Sequence, residues 1–187
     1  MASKYKYGTG INRVRCEKLP AWITFPVKMM TMEDRTGLLG TYNPLRWKIH
    51  ELRHAEVPLL PELCTGSALH GYIHPWQARL WGSTYRYPRT RIIESADNCV
   101  LGIDKFGASH MTVGRIIRLP KYTKEAHLKL VDIVLKYLNK ENKALLTTDF
   151  RRHLRGHNPL RASIHRIPVS KTLLFWKAVY RAFPHTH

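Results

Sequence analysis

Residues 84–120 read TYRYPRTRIIESADNCVLGIDKFGASHMTVGRIIRLP, and the pattern of this stretch decides the fold class. Tyr85 to Ile93 and Asn98 to Ile103 are rich in β-branched and aromatic residues, which predicts strands. Asp104-Lys105-Phe106-Gly107 has hairpin-turn chemistry. From Ser109 to Leu119 the residues Met111, Val113, Arg115, Ile117 and Leu119 share one face at a period of two. Pro120 ends the run. Thr123 then has the side chain to cap a helix reaching about Lys140, with Leu128, Val131, Leu135 and Leu138 inward and Lys124, Lys129, Lys136 and Lys140 outward. Lys143–Thr148 and Ala162–Ile167 are predicted short strands, and Ser170 a cap for a last helix from Lys171 to Phe183. Strands followed by helices around one sheet define an α+β fold with a small mixed or antiparallel sheet.

Residues 1–84 read differently. They are rich in Pro, Gly and aromatic residues and show little periodicity, so they are expected to form an extended arm that contacts other members of an assembly, ahead of a compact unit at 85–187. One helix is predicted in the arm, over about 44–55, with Asn43 as cap, Pro44 at the first position and Leu45, Ile49 and Leu52 as its apolar stripe. The segment HGYIHPWQARLWG, residues 70–82, is predicted to be an extended connector with Trp76 and Trp81 as anchors.

Charge points to the partner. The 187 residues carry 31 Lys and Arg against 13 Asp and Glu, a formal net charge of +18. The last acid is Asp149, and the 38 residues that follow hold eight Arg or Lys and five His. A segment without carboxylates cannot neutralise that charge internally, and a polyphosphate releases counterions when cations replace them. The richest element is the loop from Arg151 to Arg161, with Arg151, Arg152, His153, Arg155 and Arg161 interrupted by Gly156 and Pro159. It lacks aromatics, which favours gripping the phosphate backbone over stacking on bases. Arg89, Arg91, Arg115, Arg118 and Lys121 would extend this surface on the preceding strands, and Arg166 and Lys171 on the segment that follows.

The competing chemistry is His50-Glu51-Leu52-Arg53-His54, which fits H-E-x-x-H and would make a zinc hydrolase if it lay on a helix. Arg53 would place a cation beside the metal, and no third ligand follows at useful spacing. His70, His74 and Cys64 are a weaker zinc set, because Gly71 and Pro75 oppose a helix. The three cysteines, Cys16, Cys64 and Cys99, are odd in number and scattered, unlike a disulfide framework. No phosphate loop, nucleophile elbow or paired-carboxylate cleft is present. The expectation is therefore a binding protein and not an enzyme, with no cofactor, no metal, no small-molecule substrate and no membrane insertion.

Tyr85-Arg86-Tyr87-Pro88-Arg89-Thr90 is similar to the aromatic strand ending in Arg-Thr that opens the mitochondrial large-subunit ribosomal protein 49 family. Met111-Thr112-Val113-Gly114-Arg115-Ile116-Ile117 resembles that family's Thr-Val-x-Arg-x-Ile strand, and a long helix follows as it should. The close, a strand over Ala162–Ile167 and a helix with Trp176 ending on Phe183, fits as well. The sequence departs from the family where Arg118-Leu119-Pro120-Lys121 replaces Gly-Asp, and the Leu-Pro-Val-Tyr element is absent. The resemblance covers roughly residues 85–184. It implies an initiation-factor-like fold and a ribosomal protein in the mitochondrial matrix, bound to ribosomal RNA and neighbouring ribosomal proteins and serving translation. An accessory subunit of a mitochondrial respiratory or ATP synthase complex is the alternative of another class, with anionic lipid as its counter-charge.

Overall fold

The computed structural model describes residues 14–36, 45–55, 68–138, 146, 150 and 159–184. The chain divides into two compact units, Arg13–Pro120 and a second made of Lys121–His187 with Met1–Asn12. Together they form an α+β protein: an antiparallel sheet in the first unit, helices in the second.

In chain order the first unit contains β1 (Val14–Lys18), β2 (Val27–Met30), β3 (Arg35–Thr36), β4 (Leu45–Arg46), β5 (Arg53–His54), β6 (Leu69–Gly71), helix α1 (Pro75–Trp81), β7 (Arg89–Leu101) and β8 (Phe106–Ile117). The sheet is organised by the hairpin of β7 and β8, which stay paired from Thr90↔Ile117 to Leu101↔Phe106. Gly102 N–H donates to Lys105 O at 2.8 Å, so the turn closes on Ile103 and Asp104, two residues before the predicted one. The two predicted strands at 85–93 and 98–103 are one continuous strand from Arg89. The polar Glu94–Asn98 interruption does not break it, because β8 pairs across it at Ser95, Ala96 and Asp97.

Four short strands line the hairpin. β1 and β2 pair with the outer edge of β7, and β5 and β6 with the outer edge of β8. Beyond β6, Tyr72 and Val27 of β2 exchange two backbone hydrogen bonds of 2.8 Å each, which closes the sheet on itself. Register shifts between Arg91 and Ser95 mark irregularity in β7, and such bulges supply the bend that closure needs. Inside are Val27, Ile93, Leu101, Phe106, Met111 and Val113, all 3% exposed or less. Gly71 is required at its place: a Cβ there would lie 2.6 Å from Ile93 Cδ1 and 2.9 Å from Phe106 Cε1. Cys16 sits opposite Cys99 across β1 and β7. The hydrogen bond between the two thiols lowers the pKa of Cys16 and, with burial, raises that of Cys99.

Described residues of the expected arm supply six short strands between Val14 and Gly71, and four of them extend the β7–β8 sheet. The predicted helix over 44–55 is replaced by β4, a turn and β5. His50 has a left-handed φ of 64°, which a helix does not admit. His50 N–H donates to Val113 O and Ala55 N–H to Ser109 O, so pairing with β8 takes up the backbone groups a helix would use. Residues 75–81, expected as connector, form a helix. His74 Nδ1 accepts from Trp76 N–H at 3.0 Å, and Pro75 occupies the first helical position. Gln77, fully buried, accepts from Ile73 N–H and donates to Ile103 O, tying α1 to the hairpin turn.

The second unit contains α2 (Lys124–Leu135), α3 (Pro159–His165), a short 3-10 turn (Val169–Lys171) and α4 (Thr172–Ala182). Thr123 caps α2 as predicted, accepting from Ala126 N–H at 3.1 Å. The buried face is Ala126, His127, Leu130, Val131, Ile133 and Val134; of the expected stripe Val131 is buried, whereas Leu128, Leu135 and Leu138 are half-buried. His127 Nε2 donates to Leu146 O at 2.8 Å, leaving Nδ1 to accept from Tyr122 hydroxyl at 2.6 Å. The predicted strand over Ala162–Ile167 is instead α3 and its exit, with Leu160, Ile164 and Ile167 buried at near-helical spacing. On α4, Phe175, Trp176 and Val179 are fully buried. The 3-10 turn displaces the expected Ser170 cap, and Lys171 takes the cap position without a side-chain hydrogen bond. The predicted strand over Lys143–Thr148 lies outside the described residues apart from Leu146, which is helical.

Candidate nucleic-acid interface

Arg89 and Arg91 open β7, and alternation along the strand keeps both on the face met by the β2–β3 turn. Asp34 stands in that turn with a left-handed φ of 57°, and its carboxylate receives both guanidiniums. Arg91 Nε and Nη2 reach its two oxygens at 2.8 and 3.1 Å, Arg89 Nη1 lies at 3.1 Å, and Arg91 Nη1 donates to Gly114 O at 2.9 Å. Burial raises the Asp34 pKa, but the Arg91 and Arg89 guanidiniums outweigh it and hold the carboxyl below its ordinary value. The shared carboxylate offsets part of the charge of both guanidiniums within the fold. Arg91 is thus engaged within the fold, and Arg89 shares its carboxylate, so both expected RNA contacts lie in an ion pair with Asp34.

The remaining predicted cations are placed otherwise. On β8 Arg115 is exposed, with its guanidinium 5.7 Å from the Phe25 ring centre. Arg118 is exposed just beyond β8, and Lys121 is exposed at the start of the second unit. In the second unit Arg161 is half-buried on α3. Arg166 and Lys171 are exposed in the connection between α3 and α4, where Arg166 Nη2 donates to Ser163 Oγ at 3.1 Å. Arg151, Arg152, His153 and Arg155 lie outside the described residues. The structure thus brings Arg161, Arg166 and Lys171 into one helix–turn–helix segment and withdraws Arg89 and Arg91 into an ion pair.

The difference between the units is one of charge balance. Arg13–Pro120 has 15 Lys and Arg against nine acids, whereas Met1–Asn12 with Lys121–His187 has 16 against four. No acid stands in the first turn of α3 or α4, where the helix dipole favours negative charge.

The zinc reading loses its geometric basis. His50 sits in a turn and His54 in β5, so the two are not one helical turn apart on a common face. His50 Nδ1 is 2.8 Å from Glu94 Oε1, and the His54 ring packs edge-on to His110 with centroids 4.5 Å apart. Among the described residues no group of three or more His, Cys, Asp or Glu is placed to hold a metal ion. Among them, too, no helix is long and apolar enough to cross a membrane.

Sequence reasoning missed Lys28, a buried cation on β2 beside a cavity. Its signal was available: Lys28 is the one charged residue in the run from Ile23 to Met30. No family model matches the chain, and neither a curated protein nor a solved structure is significantly similar to it.

Proposed function

We propose that this protein is a structural constituent of a ribosome, the large subunit of the mitochondrial ribosome, and that it binds ribosomal RNA phosphates and neighbouring ribosomal proteins without catalysing a reaction. The observation that carries the reading is the charge of the helical unit. Beyond Asp149 no Asp or Glu remains to meet eight Arg and Lys, of which Arg166, Lys171 and Arg181 are exposed. A polyanion supplies the missing charge at an entropic gain. The mitochondrial and large-subunit assignments rest on the resemblance of the β7–β8 segment, whose Thr-Val-x-Arg-x-Ile run lies in β8. The resemblance's closing strand over Ala162–Ile167 is a helix here, so it adds no support.

The basic segment is the point to test. Replacing Arg151, Arg152, Arg155 and Arg161 together by Ser should weaken binding to ribosomal RNA fragments. It should also flatten the dependence of log affinity on log salt by about 0.7–0.9 for each phosphate that is no longer neutralised. A second substitution, Arg166 and Lys171 to Ser, tests the described connection between α3 and α4 in the same way. An unchanged salt slope in both removes the segment from any RNA interface.

A further inference from the structure

Lys28 is 5% exposed, in a strand whose other residues are apolar. Its ammonium donates to His70 O of β6 and lies 4.7 Å from the centre of the Trp47 ring. Neither neighbour carries a full negative charge. The residue opposite, Arg91, is another cation, already matched by Asp34. Beside Lys28 opens a cavity of about 120 Å³, lined also by Lys105, Tyr72, Tyr87, His70 and Thr36 and by no carboxylate among the described residues. The lining therefore contains two ammonium groups and two phenol hydroxyls, all able to donate. The positive field reaches the cavity's own imidazole. Burial first, then the charges of Lys105 and Lys28, lower the His70 pKa to about 3. Burial alone brings Lys28 to about 7.

We propose that this cavity binds a phosphate-sized oxyanion, held by the ammonium groups of Lys28 and Lys105 and by the hydroxyls of Tyr72 and Tyr87. Charge and volume converge on this ligand class, since a tetrahedral dianion accepts several charge-assisted hydrogen bonds at once. The site is independent of the basic helical segment, so it stands or falls apart from the RNA reading. Two sources share this chemistry: a free anion such as inorganic phosphate, and a backbone phosphate of RNA.

Binding is coupled to a proton. An anion in the cavity favours charged Lys28 and raises its pKa above the value of the empty site. Affinity is then full below pH 7 and falls as pH rises from about 7 towards the bound-state value. His70 is neutral through that window, and the Tyr72 hydroxyl keeps its proton. Burial, the charge of Asp104 and that of Tyr87 raise the Tyr72 pKa to about 12. Arg91, facing Lys28 from β7, stays charged and paired with Asp34.

The test uses the full chain, labelled at lysine Cε and tyrosine ring carbons, and sulfate as a probe whose charge does not change with pH. The expected result is a saturable shift of the Tyr72 and Tyr87 signals. The Lys28 midpoint should also rise by about one unit, equivalent to about tenfold tighter binding to the charged form. Lys28→Met, an apolar replacement of similar length, should abolish the saturable shift, and Lys105→Gln, in the turn, should weaken it about tenfold. Inorganic phosphate should act as sulfate does. A short oligoribonucleotide that reproduces the shift assigns the site to backbone phosphate; one that leaves Lys28 untouched while sulfate moves it assigns the site to a free anion. A Lys28 midpoint indifferent to sulfate and phosphate, or tyrosine shifts of equal size in Lys28→Met, would overturn the proposal.

Discussion

Arg91 and Lys28 face each other across β7 and β2, and the fold treats these two buried cations differently. Arg91 has a forked carboxylate partner in Asp34, so its burial is compensated. Lys28 has a carbonyl and an aromatic face, and desolvation lowers its pKa from 10.5 to about 7. Unfolded, the same amine holds its proton up to its ordinary value. Unfolding therefore takes up a proton between about pH 7 and 10.5, and the folded state gains stability as pH rises through that window. Below pH 7 the full cost of the buried charge is present. Lys28→Met should accordingly be more stable than the parent at pH 6, by at most about 5 kcal/mol, with the advantage shrinking towards pH 10. Denaturant unfolding of both proteins across that range measures it, and parallel stability curves would contradict it. At this scale the sequence exposed Lys28 as an intruder in an apolar run. That Asp34 would claim Arg89 and Arg91 was invisible, because the three residues meet only when a turn and a distant strand are brought together.

Elements were legible where local chemistry and tertiary demand agree. The β7–β8 hairpin followed from period-two patterning, and α2 from Thr123 and the apolar residues after it. The cap is worth about 1 kcal/mol, so Thr123→Ala should lower the unfolding free energy by about that amount and Thr123→Ser should restore most of it. A loss below a few tenths of a kcal/mol would show that packing of Leu130, Val131 and Val134 alone holds the helix end. The failures lie where the two disagree. Leu45, Ile49 and Leu52 keep helical spacing, yet Leu52 is 53% exposed, because β8 offers an open edge to pair with this segment. Residues 162–167 satisfy strand composition, but the apolar positions Leu160, Ile164 and Ile167 are buried together through α3. For α1 the signals were present in His74 and Pro75, and the aromatic residues that follow disguised them as a connector.

Charge on the scale of the whole molecule acts against its own folding. A net +18 repels itself, more in Lys121–His187 than in Arg13–Pro120, where Asp34 and Glu94 engage Arg89, Arg91 and His50. Added salt shortens the reach of that repulsion to roughly 10 Å at 0.1 M. Raising sodium chloride from about 0.02 to 0.2 M should therefore increase the melting temperature read by circular dichroism at 222 nm. A decrease would show that pairs such as Asp34 with Arg89 and Arg91 outweigh the repulsion.

What the sequence determined by itself is set by near neighbours and by counting: the α+β class, the central hairpin, the cap of α2, and a cationic end that carries no carboxylate of its own after Asp149. What the tertiary structure alone decided depends on residues far apart in the chain. Those features are the pairing of β1, β2, β5 and β6 with the hairpin, the closure of the sheet through Val27 and Tyr72, the Asp34 clamp, and the buried Lys28 beside its cavity. The physical reason is that strand partners and counter-ions are chosen by proximity in space. Backbone pairing and charge neutralisation each outweigh the few tenths of a kcal/mol by which local propensity prefers one conformation.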